Sequence, residues 1–498
     1  MLCGDHFYRV RQCRGRNVCG CHSVDMTGRR NLNQTFAYLA TIVLGQGMSF
    51  LILPFVTRLL PPEAYGQYAL ALTVSNLVAM IASSWIRNVG LRLYFDAVER
   101  GTTRGFFLGS TALQALAFAV LYAAMLAVFQ LVGYELAPLR VLISAGITIL
   151  LGDQFTYVVT LLRAEQRVGP YAMAEIGSAM LRFGVTLLGL TAGIRTPEIL
   201  FDAASVGYLI GAVYAMIYLS PRLVGPARVD VAATLEIMRY GPRSLPFSVS
   251  GWFERLADRL VIEHFLGTVV VGVYSVGYTL GERLIGALTQ GVFMMAWPSI
   301  LKAWSDGGTR EARRALADAQ RLFAWLTIGP VTFLIAYGTT LTELLTGAEY
   351  HDAAVVVPLV AISMWLGGFG SYLNRHMELR KRFGTLSSIT AIGAVVNVVL
   401  NIALVPGFGM MGAATATLAN RMLNTAIFFV LRDSELTQVA VRPFAAAMGL
   451  AVAAYGLSAW LPVAAEVSMV IFVGVYAGVT LWVLLRSRSG RASDEPAS

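Results

Sequence analysis

The chain has 498 residues, of which 56% are apolar and only 13% are Asp, Glu, Lys or Arg, with a formal net charge of +9. Soluble proteins carry about 25% charged residues, and half that share does not sustain a water-exposed surface of this size. A large cytoplasmic enzyme, a disordered scaffold and a nucleic-acid domain do not fit, whereas the mean hydropathy of +0.65 fits a polytopic helical membrane protein.

A bilayer span takes about 20 apolar residues. Such runs fall near 37–57, 68–91, 106–131, 141–162, 172–192, 200–219, 246–266, 269–297, 320–338, 354–373, 385–405, 411–431, 443–461 and 467–485, which predicts an all-α chain of fourteen transmembrane helices. Short connections make consecutive helices antiparallel neighbours, with a tight turn at Gly267-Thr268. The expected organisation is a tail over 1–36, a six-helix lobe over 37–221 and a linker over 222–245. A second six-helix lobe follows over 246–431, then a helix pair over 443–485 and a tail over 486–498.

Of the 38 Lys and Arg, 29 fall in the tails and in the connections after even-numbered spans. Three (Arg58, Arg140 and Arg195) fall in the opposite connections, and six lie within spans. Cationic connections stay cytoplasmic, so both termini are expected on that side. A missed or invented span would scramble this alternation. The basic balance is then a signature of membrane insertion and of contact with anionic lipid headgroups, and it calls for no nucleic acid.

All four cysteines (Cys3, Cys13, Cys19 and Cys21) occupy the first 21 residues, beside His6 and His22. Cys19-Gly20-Cys21-His22 has zinc-ligand residue types, but it is not a repeated Cys-x-x-Cys pair, and no metal site is assigned. Met26 opens a short basic lead, Met26-Thr27-Gly28-Arg29-Arg30-Asn31-Leu32, and is the expected start of the natural product. The first apolar run is long enough to span and lacks a small-residue cleavage site, so no signal peptide is assigned.

An internal repeat stands out. Leu59-Leu60-Pro61-Pro62-Glu63-Ala64-Tyr65-Gly66-Gln67-Tyr68 matches Phe265-Leu266-Gly267-Thr268-Val269-Val270-Val271-Gly272-Val273-Tyr274 at an offset of 206, which superposes Leu60 on Leu266, Gly66 on Gly272 and Tyr68 on Tyr274. Ile176-Gly177 and Ile392-Gly393 give a weaker echo. Both lobes start from the same side, so the repeat is parallel, about an axis along the membrane normal. Two such halves hinging about a midplane cavity make a transporter architecture.

Three motifs add a family resemblance. The run from Gly45-Gln46-Gly47 through Arg58-Leu59-Leu60-Pro61-Pro62-Glu63-Ala64-Tyr65-Gly66 resembles the opening of the polysaccharide flippases of the multidrug/oligosaccharidyl-lipid/polysaccharide exporter superfamily. Ala257-Asp258-Arg259-Leu260, His264-Phe265-Leu266-Gly267 and Val271-Gly272-Val273-Tyr274-Ser275 resemble its seventh-span signature. Pro406-Gly407-Phe408-Gly409-Met410-Met411-Gly412 resembles its turn between spans eleven and twelve, and the likeness covers about 30–485. It implies a flippase of the bacterial inner membrane, not an enzyme, that moves a lipid-linked oligosaccharide, usually on undecaprenyl diphosphate, to the outer leaflet. The implied setting is synthesis of a surface polysaccharide (O-antigen, lipopolysaccharide or exopolysaccharide), with a polysaccharide polymerase, export machinery and membrane lipids as partners.

Charges inside the spans are the candidate site. Arg87, Arg182, Arg255, Arg259, Arg283 and Arg421 lie there with Glu175, Asp202, Glu254, Asp258, Glu263 and Glu282. A charge at mid-bilayer costs roughly 2.5–3.5 kcal/mol or more, so these groups face a wet cavity or a partner. On span seven, Arg255–Asp258 and Arg259–Glu263 have the spacing of helix-surface ion pairs, which gives an ion-pair ladder as the structural alternative. The binding reading takes Arg87, Arg182, Arg255, Asp258, Arg259 and Arg283 as substrate-binding, with Arg87, Arg255 and Arg259 foremost. A guanidinium donates two parallel hydrogen bonds to phosphate and stays protonated. Arg421 has snorkelling at a span end as its alternative. Asn397, Asn401, Asn420 and Asn424 are four apart in pairs and suit interhelical packing. Pro54 and Pro246 are candidate kinks in the first helix of each lobe.

No Ser-His-Asp set and no phosphate loop appears, so neither catalysis nor a cofactor is expected. An anion moving outward gains about 2.3 kcal/mol per charge per 100 mV from an inside-negative potential, which could drive transport by alternating access, with proton or sodium coupling left open. The rivals are a lipid II flippase and a cation-coupled drug antiporter of the same superfamily. The antiporter would favour acids in its cavity, and span one has none between Phe36 and Leu60.

Overall fold

The computed structural model describes residues 41, 44, 45, 47, 48 and 50–492. The cysteine-rich tail, the start of the first span and residues 493–498 lie outside the described residues. Those described form helices and turns, with no strand among them.

Proline removes one hydrogen bond from the first span, where Ile52 keeps helical dihedrals (φ −75°, ψ −23°). A turn at Ile52 precedes α1 (Leu53–Leu59), which carries Pro54 in its first turn. Pro62 then starts α2 (Pro62–Ala82), its missing N–H falling where helices leave donors unpaired anyway. A break at Ser83 separates α2 from α3 (Ser84–Arg100), and the two together make a second span longer than its apolar run. The first lobe continues with α4 (Thr103–Val132), α5 (Leu139–Ala164), α6 (Val168–Thr191) and α7 (Glu198–Leu219).

Residues 222–245, expected as a linker, are built onto the first lobe. Asp230 caps α8 (Val231–Tyr240) by accepting from the Ala233 N–H at 3.0 Å. The Arg104 N–H donates to the Val224 carbonyl at 2.9 Å, the Asp230 N–H donates to Gly105 at 3.1 Å, and the Thr103 hydroxyl donates to Arg222 at 2.9 Å.

The second lobe begins with α9 (Leu245–Leu266) and α10 (Thr268–Leu345). At 1.5 Å per residue, 78 residues would make a rod of about 117 Å, far beyond a bilayer. The chain turns at Gly308 instead (φ 62°, ψ −149°), a conformation open to glycine. Val292 and Ile300 of one arm then pack with Ala312, Leu316 and Phe323 of the other. The same device recurs at Gly409 (φ 59°, ψ −144°) inside α13 (Phe383–Val430), where Leu386 and Ile389 meet Phe428. Between them lie α11 (Val357–Leu373) and α12 (Arg375–Leu379); the pair α14 (Val441–Trp460) and α15 (Ala465–Ala492) ends the chain. Each of the fourteen expected spans thus falls on a helix or a helix arm, the first only in part described. The segment on either side of Gly308 was expected as a connection and is helical, because Glu311-Ala312-Arg313-Arg314-Ala315-Leu316 are strong helix formers that extend α10 beyond the apolar run.

The two lobes meet through the repeat. A Cβ on Gly66 would lie 2.1 Å from the Thr268 carbonyl oxygen, and a Cβ on Gly272 would lie 2.0 Å from that of Pro62. The offset of 206 that carries Gly66 onto Gly272 also carries Pro62 onto Thr268. These two contacts are therefore one self-complementary contact, seen from both sides of a two-fold axis. Beneath it, Leu70, Ala71 and Val74 of α2 pack with Ile262 of α9 and with Val271, Tyr274 and Tyr278 of α10. This apolar plug closes the lobes at the end that carries Pro61 and Gly267. The other end carries the arginine-rich connections and is called the basic end below.

Candidate functional site

Span seven is α9, and its four central charges divide into two sets. Asp258 and Arg259 turn inward. The Tyr274 hydroxyl donates to Asp258, and one Arg259 nitrogen lies 3.1 Å from the same carboxylate and donates to the Arg255 carbonyl at 2.9 Å. The Arg259 guanidinium also lies 4.7 Å over the Tyr278 ring, and the two side chains are among the most buried charges described. The helix-surface pairs expected from spacing do not form. Asp258 is drawn to Tyr274, and Glu263 accepts a hydrogen bond from Tyr134 of the first lobe at 2.9 Å.

Glu254 and Arg255 face a cavity of about 500 Å³, lined mostly by the basic half of the second lobe. Arg255 is exposed there, donates to the Gly251 carbonyl at 3.1 Å, and has no carboxylate within ion-pair distance among the described residues. Its neighbours are compensated. Arg421 pairs with Glu254 at 3.0 Å, Asn424 donates to the same carboxylate at 3.0 Å, and Arg375 pairs with Glu378 at 2.5 Å. Three arginines against two glutamates leave the wall with one surplus positive charge, on Arg255. Met80 and Asn88 of the first lobe complete the lining, so the cavity lies between the lobes.

A second cavity of about 320 Å³ carries Arg182 and Arg283 with Tyr65, Tyr68, Tyr208 and Thr148. Arg182 donates to the Tyr208 hydroxyl at 2.8 Å and lies 4.7 Å from its ring centroid. Arg283 reaches it from α10. Arg87 is paired with Asp153 of α5. Of the six expected ligands, the structure thus puts Arg255 in one cavity and Arg182 and Arg283 in another. Arg87, Asp258 and Arg259 line neither of the two.

Sequence reasoning missed Arg375, which it assigned to the connection after span ten. Its guanidinium is carried back over Phe293 at 4.2 Å and Trp297 at 5.1 Å, and that aromatic pair four residues apart on α10 was the available signal. Arg421, for which snorkelling was the alternative, is held inward by Glu254. Asn397, Asn401, Asn420 and Asn424 are all buried, and Gly393 is in close contact with the Asn424 amide across the α13 hairpin.

Comparisons place this geometry. A family model described as "Polysaccharide biosynthesis protein" matches residues 55–356. A protein of Haloferax volcanii named as a probable low-salt glycan biosynthesis flippase is 22% identical over 388 residues, covering 77% of this chain and 80% of the relative. A succinoglycan biosynthesis transport protein of Rhizobium meliloti is 23% identical over 321 residues, 64% of this chain and 63% of the relative. In structure, the chain is similar to a lipid II flippase in its inward closed conformation, at a TM-score of 0.70 and 13% identity over 92% of this chain and 99% of the other. With a matched segment that includes the two-fold contact, the plug and span seven, this multi-span membrane protein belongs to the polysaccharide biosynthesis protein family.

Proposed function

We propose that this protein is a flippase that carries a lipid-linked oligosaccharide of the undecaprenyl diphosphate type from the inner to the outer leaflet. The basic end faces the cytoplasm, in keeping with the distribution of Lys and Arg. The observation that carries the reading is the inter-lobe cavity of about 500 Å³, shut at the far end and lined by an arginine without a carboxylate partner among the described residues. A sugar chain stripped of water loses a few kcal/mol per hydroxyl, so it needs such a polar chamber, while its polyprenyl tail stays in lipid. Arg255 receives the diphosphate and Arg421 and Arg375 flank it, their glutamates keeping the wall from holding the anion too tightly to release it. Arg182 and Arg283 form a deeper station, in contact with both lobes. Rocking about the Gly66–Gly272 contact then opens the far end. Asp258 and Arg259 shape the lobes and do not touch the ligand, and Arg87 is held by Asp153 at the cavity edge.

The test is Arg255→Ala in cells lacking the native copy. Surface glycan is expected to fall at least tenfold while lipid-linked intermediate accumulates and the protein still reaches the membrane. Unimpaired export would reject the anion site. The rival drug antiporter predicts drug resistance instead of glycan loss. A lipid II flippase predicts lysis on depletion.

A further inference from the structure

The first lobe contains a buried carboxylate that the cavity chemistry leaves unused. Asp153, on α5, pairs with Arg87 of α3, beside the break at Ser83 that interrupts the second span. Ser83 and Gln114 of α4 flank the carboxylate, and both are fully buried. Both turn polar atoms toward it, yet Ser83 Oγ, the Gln114 amide atoms and Asp153 Oδ2 fall short of a well-formed hydrogen bond among the described residues. Such orphaned atoms are uncommon in a folded interior, and here they cluster around one acid. Other helices packed on α5 bring their own charges, among them Asp202 of α7, beside Ser144 of α5. Glu175 of α6 is under the influence of Arg182 and Arg163, Arg182 bonds Tyr208 of α7, and Tyr208 rests against Gly152. Arg87 is the charge that acts most strongly on Asp153.

Arg87 also stands at the edge of the inter-lobe cavity. Asn88 beside it and Met80 seven residues before it both line the chamber. The Arg87 side chain is 26% exposed, against 12% for Asp153. A guanidinium on a flexible stem can therefore exchange one anion for another by turning its side chain.

We propose that Asp153 is a proton-binding site linked to the cargo: Arg87 leaves it for the diphosphate, and the carboxylate takes up a proton from water. The step balances. Arg87 stays protonated throughout, one O–H bond forms on Asp153, and one negative charge of the cargo is offset by the proton taken up. A lone carboxylate in a low-dielectric interior disfavours its charged form, and the neighbouring Ser83 hydroxyl can turn to accept from the new O–H. By linkage, the proton and the anion each strengthen the binding of the other. This rests on the anion-cavity reading above and adds to it the coupling ion and its residue.

The experiment uses the full chain in lipid nanodiscs with geranylgeranyl diphosphate as the probe. Titration calorimetry near neutral pH, in buffers of different ionisation heat, counts the protons bound with it. Wild type should take up about one proton more than Asp153→Asn, and its affinity should fall about tenfold per pH unit once Asp153 must be protonated from solution. The Asp153→Asn variant should bind more tightly because Arg87 is freed, and Arg87→Gln should bind more weakly. Both should show only the proton change that belongs to the probe's own phosphates. If Asp153→Asn does not fold, Arg87→Gln alone carries the test, since its proton count must also drop. Equal proton counts in all three proteins would overturn the proposal, as would an affinity that follows sodium concentration at fixed pH with no difference in protons. Folded wild type that binds no geranylgeranyl diphosphate would instead sink the anion cavity itself, and this inference with it.

Discussion

The reciprocal glycine contact makes a quantitative prediction. A Cβ added at Gly66 would sit 2.1 Å from the Thr268 carbonyl oxygen, and one at Gly272 would sit 2.0 Å from that of Pro62. Both neighbours are backbone, so no side chain can rotate away, and relief requires the lobes to part by about 1 Å. Forced overpacking of this kind costs typically 1–3 kcal/mol, which raises the population open at this end by about 5- to 150-fold. The two contacts are related by the two-fold axis, so one rigid-body opening relieves both at once. Gly66→Ala and Gly272→Ala should therefore be strongly non-additive, the double variant opening little more than either single one. With the four native cysteines replaced by serine, Ala69→Cys supplies a buried reporter under the contact. A membrane-impermeant thiol reagent applied from outside should label it faster in each glycine variant. Unchanged labelling in a folded protein would refute the gate, and additive effects would mean two independent packing defects instead of one hinge.

Three further outcomes follow from the same coordinates. Arg259→Ala breaks a buried pair and should cost about 3–5 kcal/mol of stability, whereas Arg255→Ala, on the cavity wall, should leave stability within about 0.5 kcal/mol; thermal unfolding in detergent separates the two. Tyr134→Phe removes the hydrogen bond to Glu263 that ties the lobes at the far end, worth about 0.5–1.5 kcal/mol, and should raise labelling of the same reporter by roughly two- to tenfold. Burial and the Glu263 carboxylate push the Tyr134 phenol up to about 12, so the bond persists at neutral pH. It is lost as pH climbs from 10.0 through about 12, which alkaline titration of the labelling rate will show. Gly308→Ala meets no neighbour within 4 Å, so its cost is purely that of placing an L-residue at φ 62°, ψ −149°. That cost is about 1–3 kcal/mol, and equal unfolding midpoints for variant and wild type would contradict the turn.

How far the sequence could be read depended on the range of the physics. Span positions were legible because bilayer thickness imposes a length on every apolar run. The lobes were legible because Gly66 and Gly272 sit at equivalent turns. The lost hydrogen bond at the start of α1 was legible because Pro54 has no N–H to donate. Partner choice inside the membrane was not. Spacing on α9 offered Arg255 to Asp258 and Arg259 to Glu263, yet Asp258 found a phenol on α10 and Glu263 found Tyr134 on the other lobe. Those choices are made across helices, where one sequence alone carries no distance. Arg375 was misplaced for a related reason: a cation just beyond an apolar run reads as a loop charge until the aromatic shelf of Phe293 and Trp297 is seen beneath it.

The gate and the site obey different rules, and the difference bears on mechanism. The gate is symmetric backbone against backbone, so it carries no chemical preference and can shut on any cargo. The charges are not repeated by the 206 offset: Arg87 falls on Phe293, and Arg255 has an equivalent at Ser49. On the function proposed above, selectivity then comes from groups that each lobe holds alone, Arg255 in the second and the Arg87–Asp153 pair in the first. A cargo that engaged only one lobe would bind without favouring either conformation, because a ligand shifts an equilibrium only by its differential affinity for the two states. On the function proposed above, the diphosphate must bridge the lobes to drive the rocking. Moving the Arg255 charge elsewhere on the same cavity wall, as in Arg255→Ala with Thr390→Arg, should restore binding of a polyprenyl diphosphate without restoring export. Recovery of full export by that charge swap would show that net charge alone suffices and would defeat the bridging argument.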